Sequence, residues 1–208
     1  MKRLPKRTKQ RTAMKRLPKS VFKTIINAPI EKVWQELTKK GSLCPHFFNS
    51  KLDTTTLAVN APVRMRSKNG QYTSVVGEVL EWDPPYTYSH SFKFTNLNDP
   101  YCKVTYQLKE VDGGTEFTLI NENVPANTKT ANYMEQGGTF ITETLKAVVE
   151  TGRPTFKQRL LLGVISMTAF MTPAVCKSEN WPFDKKGDYR DEDFIEPKAE
   201  TEKETLGE

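Results

Sequence analysis

Histidine is scarce in these 208 residues: only His46 and His90 occur, which excludes a histidine-rich metal site, and Cys44 with His46 is too isolated a pair to form a ligand set. The three cysteines, Cys44, Cys102 and Cys176, are odd in number, far apart and without a CxxC pair. That pattern argues against a disulfide framework and a zinc site, and it fits a reducing cytoplasm. No glycine-rich phosphate loop, nucleophile elbow or catalytic cysteine signature is present, and no cofactor is implied. The first 20 residues lack any acid but hold nine Lys and Arg. No apolar run follows them, so a secretory signal is not expected, and Pro5 and Pro18 on a segment without an amphipathic face weigh against a transit peptide.

What is present is enough apolar material for one substantial core, 37% hydrophobic and 10% aromatic. The net charge of +6 conceals an asymmetry: residues 177–208 hold six basic and eleven acidic residues, while 21–176 hold 16 and 14. The basic character therefore resides mainly in the N-terminal arm and is weak support for specific nucleic-acid binding. MKRLPK occurs at 1–6 and again at 14–19. It reads either as a doubled basic arm for an acidic partner or surface, or as a duplicated start with Met14 as the initiator. Residues 1–19 are expected to be a disordered basic arm, 20–154 the folded domain, 155–176 an apolar C-terminal helix and 177–208 an acidic, mostly disordered tail.

From Val21 a folded pattern begins. Val21 to Asn27 is β-rich; Pro29 then opens a helix in which Ile30, Val33, Trp34 and Leu37 recur at helical spacing. Strands are predicted near 51–57, 63–67, 72–82, 86–94, 101–111 and 115–123, with Asn69-Gly70 and Asp112-Gly113-Gly114 as tight turns. Alternation gives this antiparallel meander an inner face of Tyr88, His90, Phe92 and Phe94, then Cys102, Val104, Tyr106 and Leu108, then Phe117 and Leu119. Lys93, Lys103, Thr105 and Lys109 alternate with them toward water. A stripe of Met134, Ile141, Leu145 and Val148 at about 130–150 supplies the covering helix, which Gly152 and Pro154 end. Gly137-Gly138 admits two readings. Either the pair lies inside that helix, enlarging a cavity or letting a lid bend, or it belongs to a loop before a helix that starts near Thr139.

INAPIEKVWQELT, GEVLEWDPP, GTEFTLINENV and LKAVVETGRP, in that order over about 20–154, resemble the SRPBCC or START-like superfamily, and within it the branch named for the C-terminal domain of the Hsp90 ATPase activator. The resemblance implies an α+β helix-grip fold: a curved antiparallel sheet wrapped around a long C-terminal helix, often with a hydrophobic cavity between them. It also brings two further functions into view, an Hsp90-activating co-chaperone or other protein-interaction module, and a polyketide cyclase-like enzyme. His90 beside tyrosines could shuttle a proton, but no carboxylate in the same face pattern orients it, and no catalytic residue is assigned.

The expected activity is non-catalytic binding of a small hydrophobic ligand, lipid-like or aromatic. Its wall would be Met65, Val79, Tyr88, His90, Phe92, Val104, Tyr106, Phe117, Leu119, Met134, Ile141 and Leu145. Phe47 and Phe48, after Pro45-His46, would either gate the cavity or tuck under the sheet edge. LLLGVISMTAFMTPAVC, 160–176, carries no charge. It would pack on the domain or on a second subunit as a homodimer, make a peripheral membrane contact through 157–176, or serve as a membrane tail anchor. Trp181 and Phe183 could dock back on the domain.

Overall fold

The computed structural model describes residues 15–167 and 171–185. In chain order these form β1 (Ser20–Ile26), α1 (Ile30–Thr38), β2 (Leu43–Cys44), β3 (Ser50–Asp53), β4 (Pro62–Arg66), β5 (Thr73–Asp83), β6 (Thr87–Phe94), β7 (Cys102–Val111), β8 (Gly114–Glu122), α2 (Lys129–Thr151) and α3 (Phe156–Met167). The eight strands make one antiparallel sheet in the order β1-β8-β7-β6-β5-β4-β3-β2. β2 to β8 are a meander, and β1 returns to the far edge against β8, so α1 must connect the two edges. The two-residue β2 escaped the sequence pattern because it is too short for any alternation to show.

The pleat sends alternate side chains to one inner face, and register aligns them across strands. Trp82 opposes Tyr88, Tyr88 opposes Tyr106, Tyr106 opposes Leu119, and Leu119 opposes Phe22. This row crosses five strands and ends at α2. There the Phe22 ring lies against the helix backbone at Gly138, where an added Cβ would be 2.3 Å from Phe22 Cε2. The glycine pair thus lies inside the helix. At Gly138 it does not enlarge a cavity, because an aromatic ring fills the space left by the missing side chain.

Both ends of α2 are fixed by side chains. Thr128 Oγ1 accepts from the Ala131 N–H at 3.1 Å, and Asp99, from the loop before β7, accepts from the Thr130 N–H at 3.1 Å. At the other end Gly152, with φ 78°, closes the helix by donating to the Val148 carbonyl. Glu150 accepts from the Asn27 N–H at 2.7 Å, tying the end of β1 to the helix.

The outer face is less open than alternation predicted. Thr105, expected to face water, is buried, as are Ser89 and Ser91. A close approach contributes: at Gly77 an added Cβ would be 1.7 Å from the Ser91 carbonyl oxygen, so β5 bends tightly onto β6. Farther along, Arg64 donates to the carbonyls of Trp181, Pro182 and Lys185 at 3.0–3.2 Å, and Phe183 lies 5.1 Å from the Arg66 guanidinium. The segment 177–183 therefore does dock, held by Arg64 and by Ser178, whose N–H donates to Gln71 O.

Two boundaries differ from expectation. Residues 15–17 are placed, since Leu17 N donates to Val124 O at 2.8 Å and Arg16 Nη1 donates to the Asn123 carbonyl at 2.7 Å. This extends the β1 edge into the expected arm; residues 1–14 and 186–208 lie outside the described residues. Of the helix expected over 155–176, the described residues form α3 at Phe156–Met167, and Pro173 precedes a separate 3₁₀ turn at Ala174–Cys176; residues 168–170 lie outside the described residues.

The glycine pair separates two opposite effects. Gly138→Ala is expected to destabilise the protein by roughly 1–3 kcal/mol through the collision with Phe22. Gly137→Ala, whose Cβ would meet nothing nearer than Phe48 at 3.9 Å, is expected to stabilise it by up to about 1 kcal/mol through helix propensity. Urea midpoints of the two variants check both signs, and adding Phe22→Ala to the first should recover part of its loss.

Candidate functional site: the aromatic interior beneath the long helix

Along β6 the inner face builds a continuous aromatic line. Trp34 of α1 contacts Trp82 at 5.0 Å between ring centroids, Trp82 meets Tyr88 edge-on at 5.5 Å, and Tyr88 lies 5.3 Å from His90. Phe92 and Phe94 continue it to Tyr133 on α2. Tyr106 on β7 joins from the side, 5.6 Å from Tyr88 and 5.9 Å from His90. Such tilted and edge-on geometries suit the ring quadrupoles and make a stiff wall.

Within this wall, several polar atoms have no protein partner. Among the described residues, Tyr88 Oη, His90 Nε2, both ring nitrogens of His46 and Thr144 Oγ1 are buried without a hydrogen bond. His90 Nδ1 lies 2.8 Å from the Ser91 carbonyl. A carbonyl only accepts, so Nδ1 carries the proton and Nε2 is left as an acceptor. Burial pushes the His90 pKa down to about 4 despite that bond, and pushes the Tyr88 phenol well above its ordinary value. The interior at neutral pH thus offers a phenol donor and a neutral imidazole acceptor, and neither group is charged.

His46 was set aside in the sequence, yet it is completely buried. Its Nδ1 is 3.7 Å from Glu36 Oε1, and its ring lies 4.3 Å from Phe47. Burial and then the charge of Lys39 lower its pKa to about 3. No local sequence signal marks this contact, since Glu36 lies on α1 and His46 in the turn after β2, and only the fold brings them together. The carboxylate that His90 lacks therefore stands beside the other histidine. No group of three or more His, Cys, Asp or Glu among the described residues is arranged to hold a metal ion.

All twelve wall positions read from the sequence lie in the core region. Met65, Val79, Tyr88, His90, Val104, Tyr106, Phe117, Leu119, Met134 and Leu145 are buried, and Phe92 and Ile141 are partly buried against the same cluster. The two adjacent phenylalanines diverge. Phe47 points inward, 5.9 Å from Tyr106, while Phe48, at φ 54°, stacks on Phe140 of α2 at 4.4 Å. Phe22 and Phe47 thus occupy part of the space between sheet and helix. A cavity of about 190 Å³ opens beside Leu17, Pro18, Val124, Ala131 and Met134, so it reaches the wall at Met134. A second, of about 440 Å³, lies away from the wall, at Tyr72 and residues 177–179.

Because both histidines hold folded pKa values below the ordinary 6.5, the unfolded chain takes up protons that the folded chain refuses once the pH falls below 6.5. Stability is therefore expected to decline between pH 6.5 and 5, with a slope that rises from about 0.7 toward about 1.4 kcal/mol per pH unit for each histidine. Urea unfolding across that window, above the range where carboxylates titrate, reads the slope, and His90→Gln should remove about half of it. An unchanged slope would show that His90 titrates alike in the folded and unfolded protein.

No curated protein sequence matches this chain. Among solved structures, an HSP90 activator from Plasmodium falciparum is similar at 22% identity, covering 65% of this chain and 97% of that one, with a TM-score of 0.52. The Aha1 dimer from Colwellia psychrerythraea is similar at 19% identity over 65% of this chain and 98% of that one, TM-score 0.52. CalU16 from Micromonospora echinospora is similar at 16% identity over 74% and 93%, TM-score 0.51. At these identities the likeness is one of fold, the helix-grip arrangement of sheet and long helix. The sequence itself goes further: residues 27–150 match the family described as activator of Hsp90 ATPase homolog 1-like protein, and the chain belongs to that family.

Proposed function

We propose that the protein is a non-catalytic binder of a small, neutral, mostly apolar ligand, lipid-like or aromatic, taken up between the inner sheet face and α2. The observation that carries this reading is the pair of unpartnered buried atoms, Tyr88 Oη and His90 Nε2, in an otherwise aromatic wall. Leaving such an atom unsatisfied costs about 1–3 kcal/mol, and a ligand bearing a hydroxyl or carbonyl would relieve that cost. An uncharged wall disfavours a carboxylate or phosphate there. The 190 Å³ cavity touches the wall at Met134 and does not reach Tyr88 or His90, and it is below the roughly 300–1,000 Å³ of most small-molecule sites, so uptake requires side chains to move. The loop holding Phe47 and Phe48 is suited to this, because Phe48 and Asn49 both hold positive φ.

Native mass spectrometry of the full-length protein, followed by organic extraction, tests the reading: a stoichiometric neutral molecule supports it. Tyr88→Phe removes an unpartnered hydroxyl. It should stabilise the ligand-free protein by about 1 kcal/mol while weakening retention of the extracted molecule several-fold. Retention unaffected by Tyr88→Phe and by His90→Gln would overturn the assignment of these two groups.

A second reading, a co-chaperone that activates Hsp90, is favoured by family membership and by the fold shared with the Plasmodium HSP90 activator. It requires a protein partner rather than an interior ligand. Adding the purified protein to Hsp90 should raise the ATP hydrolysis rate several-fold at moderate salt. Binding without any change in rate would sink this reading.

A further inference from the structure

The helix α3 presents its apolar residues in an unusual direction. Its start is well defined: Thr155 and Gln158 form a reciprocal cap, the Thr155 N–H donating to Gln158 Oε1 at 2.8 Å and the Gln158 N–H to Thr155 Oγ1 at 3.4 Å. Of its twelve residues only Gln158 and Leu162 are buried. At 3.6 residues per turn, Phe156, Leu160, Val164 and Met167 fall on one stripe on the side opposite those two. That stripe is 52–78% exposed. The helix therefore turns its apolar face away from the protein, and a helix this short with so little packing gains stability only when something covers it.

The charges beside the stripe identify what would cover it. Lys157 and Arg159 lie on its two flanks, with Arg153 just before it, and all three are exposed. No Asp or Glu occurs between Thr151 and Ser178, and the N-terminal arm adds nine basic residues without an acid. We propose that α3 is an interfacial anchor that lays Phe156, Leu160, Val164 and Met167 into the surface of an anionic phospholipid bilayer while the flanking cations meet the headgroups. A helix of twelve residues is about 18 Å long, short of the roughly 30 Å hydrocarbon core, so it lies in the plane of the surface. No helix among the described residues is long and apolar enough to cross a membrane. A second copy is a poorer occupant, because it would present the same uncharged apolar stripe and no acidic groups to Lys157 and Arg159, and in a parallel pair would bring those cations together. The acidic residues 186–208 match the charge but contain few large apolar side chains to cover the stripe.

Flotation of the full-length protein with vesicles tests this, using phosphatidylcholine alone and phosphatidylcholine with about one-third phosphatidylserine. Partitioning is expected to be at least about tenfold stronger on the anionic vesicles and to weaken as salt is raised. Leu160→Glu with Val164→Glu should abolish it without shifting the unfolding temperature, since both residues are exposed. Should that pair fail to fold, Arg153→Gln, Lys157→Gln and Arg159→Gln give a second handle, each expected to weaken partitioning about fivefold. Absence of flotation on anionic vesicles overturns the proposal. So does a wild-type dimer in sedimentation that the Leu160 and Val164 substitutions dissociate, which would make the stripe a protein interface.

Discussion

The contact between the Phe22 ring and the backbone of α2 at Gly138 sets the distance between sheet and helix, and much else follows from it. A side chain at position 138 would hold the helix off β1, and the aromatic row from Trp82 to Phe22 would lose its end stop. The cost is a glycine at 138 in the middle of a 23-residue helix, which on propensity alone weakens it by about 1 kcal/mol, and Gly137 beside it adds a similar amount without serving the contact. The chain tolerates that because both helix ends are tied: Thr128 caps the start and Asp99 reaches it from the loop before β7, while Glu150 holds the Asn27 N–H at the finish. A helix held at its termini needs less intrinsic propensity in its centre.

Beneath that helix the interior combines stiffness with incomplete hydrogen bonding. Most buried polar groups in folded proteins find a partner. Here Tyr88, His90, His46 and Thr144 each keep one or more unpartnered atoms within an aromatic and aliphatic surround. The same low dielectric that makes those atoms costly also keeps both imidazoles uncharged, so the interior is polar in places and charged nowhere along the wall. His90 is oriented by the Ser91 carbonyl, with no carboxylate in its hydrogen-bond set among the described residues.

The outer surface follows a different logic. The segment 177–185 is bound to the sheet through backbone carbonyls on Arg64, a buried cation with no carboxylate in its hydrogen-bond set among the described residues. Between that strap and α2, α3 is left with two buried residues and an outward apolar stripe. The fold thus separates two apolar regions, one enclosed by the sheet and one turned outward between basic side chains, and an occupant suited to one is unsuited to the other.

Much of the architecture was legible in the residue order, because period-two alternation in β6, β7 and β8 and the Ile30, Val33, Trp34, Leu37 stripe are local signals that survive folding. The burial of the nine expected wall positions on strands was legible for the same reason, because a strand's inner face is set by parity and Tyr88, His90 and Phe92 share it whatever lies opposite. Other features were beyond local reading. Nothing in the sequence shows that Phe22 fills the gap at Gly138, that Thr105 is covered, that Phe47 and Phe48 point in different directions, or that His46 meets Glu36, since each depends on two segments meeting in space. The apolar run after Arg159 was plain in the sequence, but its direction was not. Composition determined that residues 160–176 must be covered by something; only the packing of Gln158 and Leu162 decided that the stripe faces outward, because a helix buries whichever side its neighbours reach.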